Sequence, residues 1–193
     1  MSNPYGDVEL DATGMRALAH PVRVRILATL QNDGPSTATR LSPVVGATPS
    51  VTSWHLRHLG EHGLVRDAEA RGSGRERWWE ATSRGFRFTT DGPGAREAGR
   101  MLTEAIETAE GDVVGDWHRT VEPTLDRRWL AVAGRSSTRV LVTPEEMSAL
   151  ERAVEELLAP YVRRKDDPAS APEGARTVLL LRHTLPDRPT TRD

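Results

Sequence analysis

The sequence of 193 residues contains no cysteine. This absence excludes disulfide frameworks, thiolate metal sites, iron–sulfur clusters and cysteine nucleophiles. The longest uninterrupted apolar run covers the five residues 129–133, which is far too short to span a bilayer. The first twelve residues are polar and acidic and lack the basic start and apolar stretch of a signal peptide. We therefore expect a cytoplasmic protein that does not enter a membrane.

Charge is unevenly distributed along the chain. The net charge of −2 argues against a generic nucleic-acid binder. Residues 12–90, however, carry 11 arginines against 6 acidic side chains, a local charge of +5. Residues 91–193 carry 15 basic and 19 acidic side chains, a local charge of −4. This asymmetry suggests two separate tasks, with any polyanion held by the first half.

The first half is expected to fold as short helices followed by a hairpin. We expect residues 1–12 to be a flexible tail and residues 13–90 to form one domain. Pro21 stops one helix and stands in the first turn of the next, and the breaker cluster at 32–35 precedes a third. Thr48 and Pro49 are typical of an N-cap and the first helical residue, while Gly63 suits a left-handed end. The predicted fold class is mainly α with small β structure.

The predicted helix over 49–62 is the second of a helix-turn-helix pair, and strands over 64–68 and 77–81 would form a hairpin after it. This order is that of a winged helix-turn-helix. Helical spacing places four side chains on the outer face: Ser50, Ser53, Trp54 and Arg57. The core side would hold Val51, His55, Leu56 and Leu59. The outer groups can reach phosphates and base edges, so we expect them to contact DNA.

Several of these positions also have ordinary structural readings. Arg57 is either a DNA contact or a solvated helix residue, and Trp54 either stacks on DNA or packs against the preceding helix. Three arginines surround the glycines of the hairpin loop: Arg71, Arg75 and Arg77. The loop is either a wing that binds DNA or a hairpin tip that is merely solvated. On the return strand, alternation places one of Trp78 and Trp79 in the core and the other outside.

Two segments resemble a known family. Residues 17–27, A-L-A-H-P-V-R-V-R-I-L, resemble the entry helix of ArsR-type winged-helix repressors, whose usual form is A-L-x-x-P-x-R-x-x-I-L. Residues 53–59, S-W-H-L-R-H-L, with G-L-V at 63–65, are similar to the recognition helix and strand entry of that family. The resemblance covers roughly residues 13–90 and implies a dimeric, DNA-binding transcriptional regulator. Residues 141–185 resemble the C-terminal region of some actinobacterial members.

The sequence departs from the metal-sensing members of this family. Those members use cysteines, or an Asp-x-His pair completed by a second pair of His or Glu residues. Asp116 and His118 supply the first pair, but the second is missing, so we expect no metal and no cofactor. No nucleophile elbow joins serine, histidine and aspartate, and the glycine clusters at 72–74 and 92–94 lack the remaining residues of a P-loop. We therefore expect no enzymatic activity.

The second half is predicted to dimerise. A long helix over 94–130 has apolar residues at every fourth position, a stripe that drifts around the helix. Either it winds around a partner helix, or Gly111, Gly115 and Pro123 break it. The expected dimerisation residues are Met101, Ile106, Val113, Trp117 and Val121. Residues 131–193 are predicted to be an α+β region, with strands over 136–142 and 176–185. Between them lies a helix that starts with a capping box at Thr143 and has an apolar face that includes Leu150, Leu157 and Tyr161.

These observations favour one function over a rival. We expect a homodimer whose winged helix binds double-stranded DNA at a palindromic operator and represses transcription. Its C-terminal half would dimerise or sense an unknown small-molecule effector. The alternative is a winged-helix module that binds another protein without sequence-specific contact with DNA. The local charge of +5 favours DNA.

Overall fold

The structure is a computed structural model that describes residues 5–69, 76–164 and 168–188. Its first half contains, in chain order, β1 (Val8–Leu10), α1 (Ala12–Leu18), α2 (Pro21–Asp33), β2 (Ser36–Thr37), α3 (Ala38–Val45), α4 (Pro49–Glu61), β3 (Val65–Asp67), β4 (Trp78–Ala81) and β5 (Phe86–Phe88). The second half contains α5 (Ala95–Glu110), α6 (Val113–Thr120), α7 (Arg127–Leu130) and α8 (Pro144–Arg163). The predicted fold class, mainly helical with small β structure, is confirmed.

Side-chain caps explain where the helices of the first half begin. The hydroxyl of Thr37 accepts from the N–H of Arg40 at the start of α3, and that of Thr48 accepts from Val51 at the start of α4. Each bond satisfies one of the orphan donors of a helix N-terminus. Gly46 ends α3 with a φ of 68°, a left-handed conformation that a residue with a Cβ adopts at a cost. Helix α4 therefore begins at Pro49 with Thr48 as its N-cap, as the sequence predicted.

The core is formed by one face of each of the first five helices. Leu18 of α1, Ile26 of α2 and Leu41 of α3 are completely or almost completely buried. Helix α5 packs on α1 and α2 through its own buried residues, which include Ala98 and Leu102. The first helix after the hairpin thus completes the core of the N-terminal domain.

Strand β4 is the centre of a three-stranded antiparallel sheet of order β2-β4-β3. Trp78 and Trp79 of this strand are both buried, so the expectation that one of them faces outward is wrong. Trp79 faces the core, where a Cβ added to Gly60 would lie 3.1 Å from its ring. Trp78 points the other way but is covered by the guanidinium of Arg40, which lies 4.7 Å from its ring centroid.

Residues 5–12 of the expected flexible tail are ordered, which corrects the boundary at residue 12. Val8–Leu10 forms β1, which pairs in parallel with β5 and aligns Val8 with Phe86. Leu10 is buried in the core, and the carboxylate of Asp11 caps α1 by accepting from the N–H of Gly14 at 2.8 Å. Alternating apolar residues in a short acidic segment gave too weak a signal to reveal a strand whose partner lies far along the chain.

The long helix expected over 94–130 is broken at Gly111. This glycine has a φ of 61°, and Asp112 starts α6 by accepting from the N–H of Gly115 at 2.9 Å. Gly115 itself lies inside α6, and Pro123 lies in a 3₁₀ turn before α7. The expected dimerisation residues differ in exposure. Met101 and Val121 are exposed, Val113 and Trp117 are partly exposed, and Ile106 packs against the core.

The α+β arrangement expected for residues 131–193 has no β component in its described part. Residues 136–142 and 176–185 lack regular structure and pair with no other strand there. A strand is stable only when neighbours satisfy its backbone, and no other described segment pairs with either of them. The residues were strand-like in pattern, but pattern alone does not supply a pairing partner.

Helix α8 confirms the predicted capping box. The hydroxyl of Thr143 accepts from the N–H of Glu146, and the Glu146 carboxylate accepts from the N–H of Thr143 at 2.8 Å. Its predicted apolar face is only partly covered: Leu150, Leu157 and Tyr161 are exposed, whereas its other members are partly buried, namely Met147, Val154 and Leu158. One contact with the first half is polar, because Arg87 donates to the buried carboxylate of Glu155 at 2.6 Å.

None of the helices in residues 5–69, 76–164 and 168–188 has the length and apolar character needed to cross a membrane.

The packing of α5 generates a stability prediction. Leu102→Ala should lower the free energy of unfolding by about 2–5 kcal/mol, because Leu102 is 0% exposed and leaves a cavity between α5 and the helices beneath it. Val44 at the end of α3 is 59% exposed, so Val44→Ala should change stability by no more than about 0.5 kcal/mol. Urea unfolding monitored by circular dichroism measures both. Equal losses in the two variants would contradict the packing of α5 described above.

Candidate nucleic-acid interface

Helix α4 presents one buried face and one solvent face. Thr52, His55, Leu56 and Leu59 are buried, and Thr52 rather than Val51 occupies the core at the start of the helix. The Thr52 hydroxyl donates to the carbonyl of Thr48 at 3.0 Å and lies 3.3 Å from the Ser42 hydroxyl. The core placement expected for Val51 is therefore wrong. Thr52 occupies the core position instead, where its hydroxyl finds two partners, the carbonyl of Thr48 and the hydroxyl of Ser42 on α3.

The four predicted outer residues lie on or beside the solvent face. Ser50 and Arg57 are exposed, Ser53 is partly exposed, and Trp54 is 54% exposed. Arg57 has no acidic partner within the described ranges, so its charge is not neutralised by the protein there. The helix thus brings a hydroxyl, an indole and an uncompensated guanidinium together on one surface, which are groups that bind phosphates and base edges.

Trp54 leans on its own helix. Its ring stacks on that of His58, with centroids 5.9 Å apart and planes 18° apart, and meets the edge of His55 at 4.8 Å. These ring contacts lie within α4 itself, so the two interpretations left open by the sequence, stacking on DNA and packing against the preceding helix, stay predictions. The exposed remainder of the indole is available for a ligand.

Arg77 of the hairpin, expected to contact DNA, is paired within the protein. Arg77 donates through Nε and Nη2 to the two carboxylate oxygens of Asp67 across the hairpin, and its guanidinium lies 4.0 Å from the ring centroid of Trp79. These hydrogen bonds raise the pKa of Arg77 and lower that of Asp67. Arg77 therefore lies directly before β4, and the carboxylate of Asp67 balances its charge. Arg71 and Arg75 lie outside the described residues.

Arg40 is a candidate that the sequence analysis missed. It lies on α3, is exposed, and has no acidic partner among the residues that the structure describes. Its position over Trp78 holds the guanidinium beside the hairpin. The spacing of residues along α3 contained no signal for this placement, because the ring that orients Arg40 comes from a strand nearly forty residues later.

His55 is a core residue, as predicted. It is 4% exposed, its ring centroid lies 4.7 Å from that of His20, the N-cap residue of α2, and its Nδ1 has no hydrogen-bond partner in the described part of the chain. Burial, together with the charges of His20, Arg23 and His58, lowers the pKa of His55 to about 4. The imidazole is therefore neutral in the folded protein at physiological pH.

The Asp-x-His pair is engaged in local contacts. Asp116 pairs with Arg119, and Nδ1 of His118 lies 2.8 Å from a carboxylate oxygen of Glu122. No group of three or more potential ligands of a metal ion occurs among residues 5–69, 76–164 and 168–188.

The low pKa of His55 predicts a pH dependence of stability. The unfolded chain takes up a proton on this imidazole near pH 6.5, whereas the folded protein does so only near pH 4. Because the unfolded state binds more protons, the free energy of unfolding should fall as the pH decreases between these values, by on the order of 2–3 kcal/mol from His55. Denaturant titrations across this range should show that His55→Gln flattens the decrease.

Leu59→Ala is the control for this measurement, because it removes packing on the same buried face of α4 without removing a titratable group. It should lower the free energy of unfolding at every pH and leave the slope of the pH profile unchanged. Superimposable profiles for the wild type and His55→Gln would show that the folded state does not exclude the proton.

Comparison with known proteins identifies the domain that holds α4. Residues 18–68 match a family model described as a helix-turn-helix domain. The mutant Lactococcus lactis ZitR in its apo form is similar at a TM-score of 0.30 and 15% identity, over 78% of this chain and 83% of that one. No curated protein matches the chain. The matched range runs from the end of α1 through β3, so the chain carries a helix-turn-helix domain that includes α2, α3 and α4.

Proposed function

We propose that this protein is a DNA-binding transcriptional regulator, without enzymatic activity, in which α4 enters the major groove. The observation that carries the proposal is the solvent face of α4, where Arg57 has no acidic partner among the described residues and lies with Ser50 and Trp54. The helix-turn-helix match over 18–68 supports it, as does the local charge of +5 over residues 12–90. The resemblance of the two motifs to ArsR-type repressors favours repression of transcription.

The flanking cations have separate roles in this proposal. Arg40 on α3, which lies beside the hairpin, would contact the phosphate backbone, and so would the arginines predicted for the hairpin loop, Arg71 and Arg75. Arg77 would join the end of β3 to the start of β4 through its ion pair with Asp67 and would not contact DNA itself. Phosphate contacts of this kind orient the protein, while Arg57 and its neighbours read the bases.

The proposed active form is a homodimer on a palindromic operator. A single domain of this size reads few base pairs, and two such domains must stand about 34 Å apart to meet successive major grooves. The partly exposed or exposed apolar residues of α5, of α6 and of the position directly after α6 would form the two-fold contact: Met101, Val113, Trp117 and Val121. Ile106 would contribute from the rim, since most of it packs inward. Residues 131–193 would add to the dimer or sense an effector.

A second candidate function is supported by exposed apolar residues on the same surface. Val44 at the end of α3, Val51 at the start of α4 and Trp54 are each about half exposed. Such residues suit contact with another protein, although thymine methyl groups also accept apolar contacts. Salt dependence separates the two functions, because binding to duplex DNA weakens steeply with salt and a mainly apolar protein contact does not.

Arg57→Ala should weaken binding to a duplex selected from a random-sequence library by about 1–3 kcal/mol, because the guanidinium contacts DNA and nothing in the described protein replaces it. Fluorescence anisotropy at several salt concentrations measures the loss. Arg152→Ala, which removes the same charge from an exposed position on α8, should bind as the wild type does. Equal affinities for the two variants would remove α4 from the interface, and a wild type without salt dependence would favour the protein-binding alternative.

Met101→Glu and Val121→Glu should each convert dimers into monomers and abolish binding to the selected duplex, because they place charges in the proposed two-fold contact. Sedimentation velocity measures the assembly. Leu157→Glu on α8 is the comparison variant, since this leucine is also exposed but belongs to residues 131–193, which the proposal adds to the dimer without making the dimer depend on them; it should leave dimers intact. Dimers that persist in the Met101 and Val121 variants and dissociate in Leu157→Glu would move the interface to α8.

A further inference from the structure

A cationic cleft lies beside the DNA-reading helix. It has a volume of about 230 Å³ and is lined by residues from α1, the start of α2 and the end of α4: Thr13, Arg16, Ala17, Arg23, His58 and His62. Four of the six lining side chains carry nitrogen donors, and none is acidic. The cleft opens to solvent on the flank of α4, next to the face proposed to contact DNA.

Arg23 is the group in this cleft that lacks a counter-charge. Its guanidinium is partly buried, its Nε is inaccessible to water, and that nitrogen has no hydrogen-bond partner in the described part of the chain. No described carboxylate lies within ion-pair distance of it. A guanidinium withdrawn from water without an anion is unfavourable. Arg16, at the mouth, makes one long hydrogen bond of 3.4 Å to the carbonyl of Ala12.

Burial and the charge of Arg23 lower the pKa values of three of the imidazoles in and near the cleft. Burial and then the charge of Arg23 lower the pKa of His58, while Glu61 at the exposed rim and the backbone of Ala17 act in the opposite direction. His20 and His55, behind the cleft, have pKa values lowered by burial and by the same arginine. The Nε2 atom of His58 is buried and unpartnered in the described structure.

We propose that this cleft binds an oxyanion of the phosphate type, held by the guanidiniums of Arg16 and Arg23 and by the imidazoles of His58 and His62. Guanidiniums bind phosphate oxygens through paired, charge-assisted hydrogen bonds. The anion would supply the missing counter-charge of Arg23 and an acceptor for Nε2 of His58. The volume accommodates a phosphate group with a small substituent.

An anion bound in the cleft would lie next to side chains that contact the proposed DNA face. His58 stacks on Trp54 at 5.9 Å and lies 4.8 Å from His62, so one row of rings joins the cleft to the exposed indole. Two sources of the anion share this chemistry: a free phosphate compound, or a backbone phosphate of bound DNA. The second source rests on the function proposed above, whereas the site itself does not.

The test is a titration of the DNA-free protein with inorganic phosphate, followed through the imidazole resonances of His58 by NMR. The ionic strength is kept constant with chloride. Phosphate should bind saturably and raise the pKa of His58, because the anion favours the protonated imidazole. Arg16→Gln should weaken the binding by about tenfold, the effect of one lost charge-assisted hydrogen bond. Arg152→Gln, which removes an exposed arginine on α8 outside the cleft, should leave the binding unchanged.

Two results would overturn the site: a response of His58 that does not saturate or is matched by chloride, and equal affinities for phosphate in the Arg16 and Arg152 variants. Because no DNA is present, failure here is distinct from failure to bind DNA. A second titration with duplex identifies the source. If phosphate and duplex compete, the anion belongs to the DNA backbone, and if both bind together, the cleft takes a free phosphate compound.

Discussion

The burial of one face of α4 determines what this protein presents to its surroundings. Leu56 and Leu59 are completely buried, and His55 nearly so, which fixes the rotation of the helix about its axis. Because a helix is stiff, fixing one face also fixes the opposite one. Arg57 and Trp54 therefore face solvent without any ion pair in the described structure that would hold or neutralise the guanidinium. The candidate interface is a consequence of the core beneath it.

The same core links α4 to the second half of the chain. Helix α5 packs on α1 and α2, and Arg25 of α2 donates to the carbonyls of Thr108 and Ala109 at the end of α5, at 3.4 and 3.1 Å. A cation at this position also interacts favourably with the helix dipole. An assembly formed through α5 and α6 would thus hold α4 in a defined orientation, which is the requirement for reading two half-sites.

The sequence was informative where structure is local and uninformative where it depends on distant partners. Thr48, Pro49 and Gly63 marked the ends of α4 because capping acts within one helical turn. Helical spacing also placed Arg57 outside. Strand β1 and the burial of Trp78 were missed, since each depends on a segment far along the chain. The strands expected over 136–142 and 176–185 failed for the same reason, because a suitable pattern does not provide a neighbour.

The most direct test of the central claim is to map which backbone amides respond to duplex DNA in ¹⁵N–¹H correlation spectra of the full chain. The account predicts that the perturbed amides concentrate at the start of α4 and around Arg57, with weaker effects near Arg40 on α3. Perturbations confined to α5–α8, or none at DNA concentrations where the duplex is bound, would contradict it.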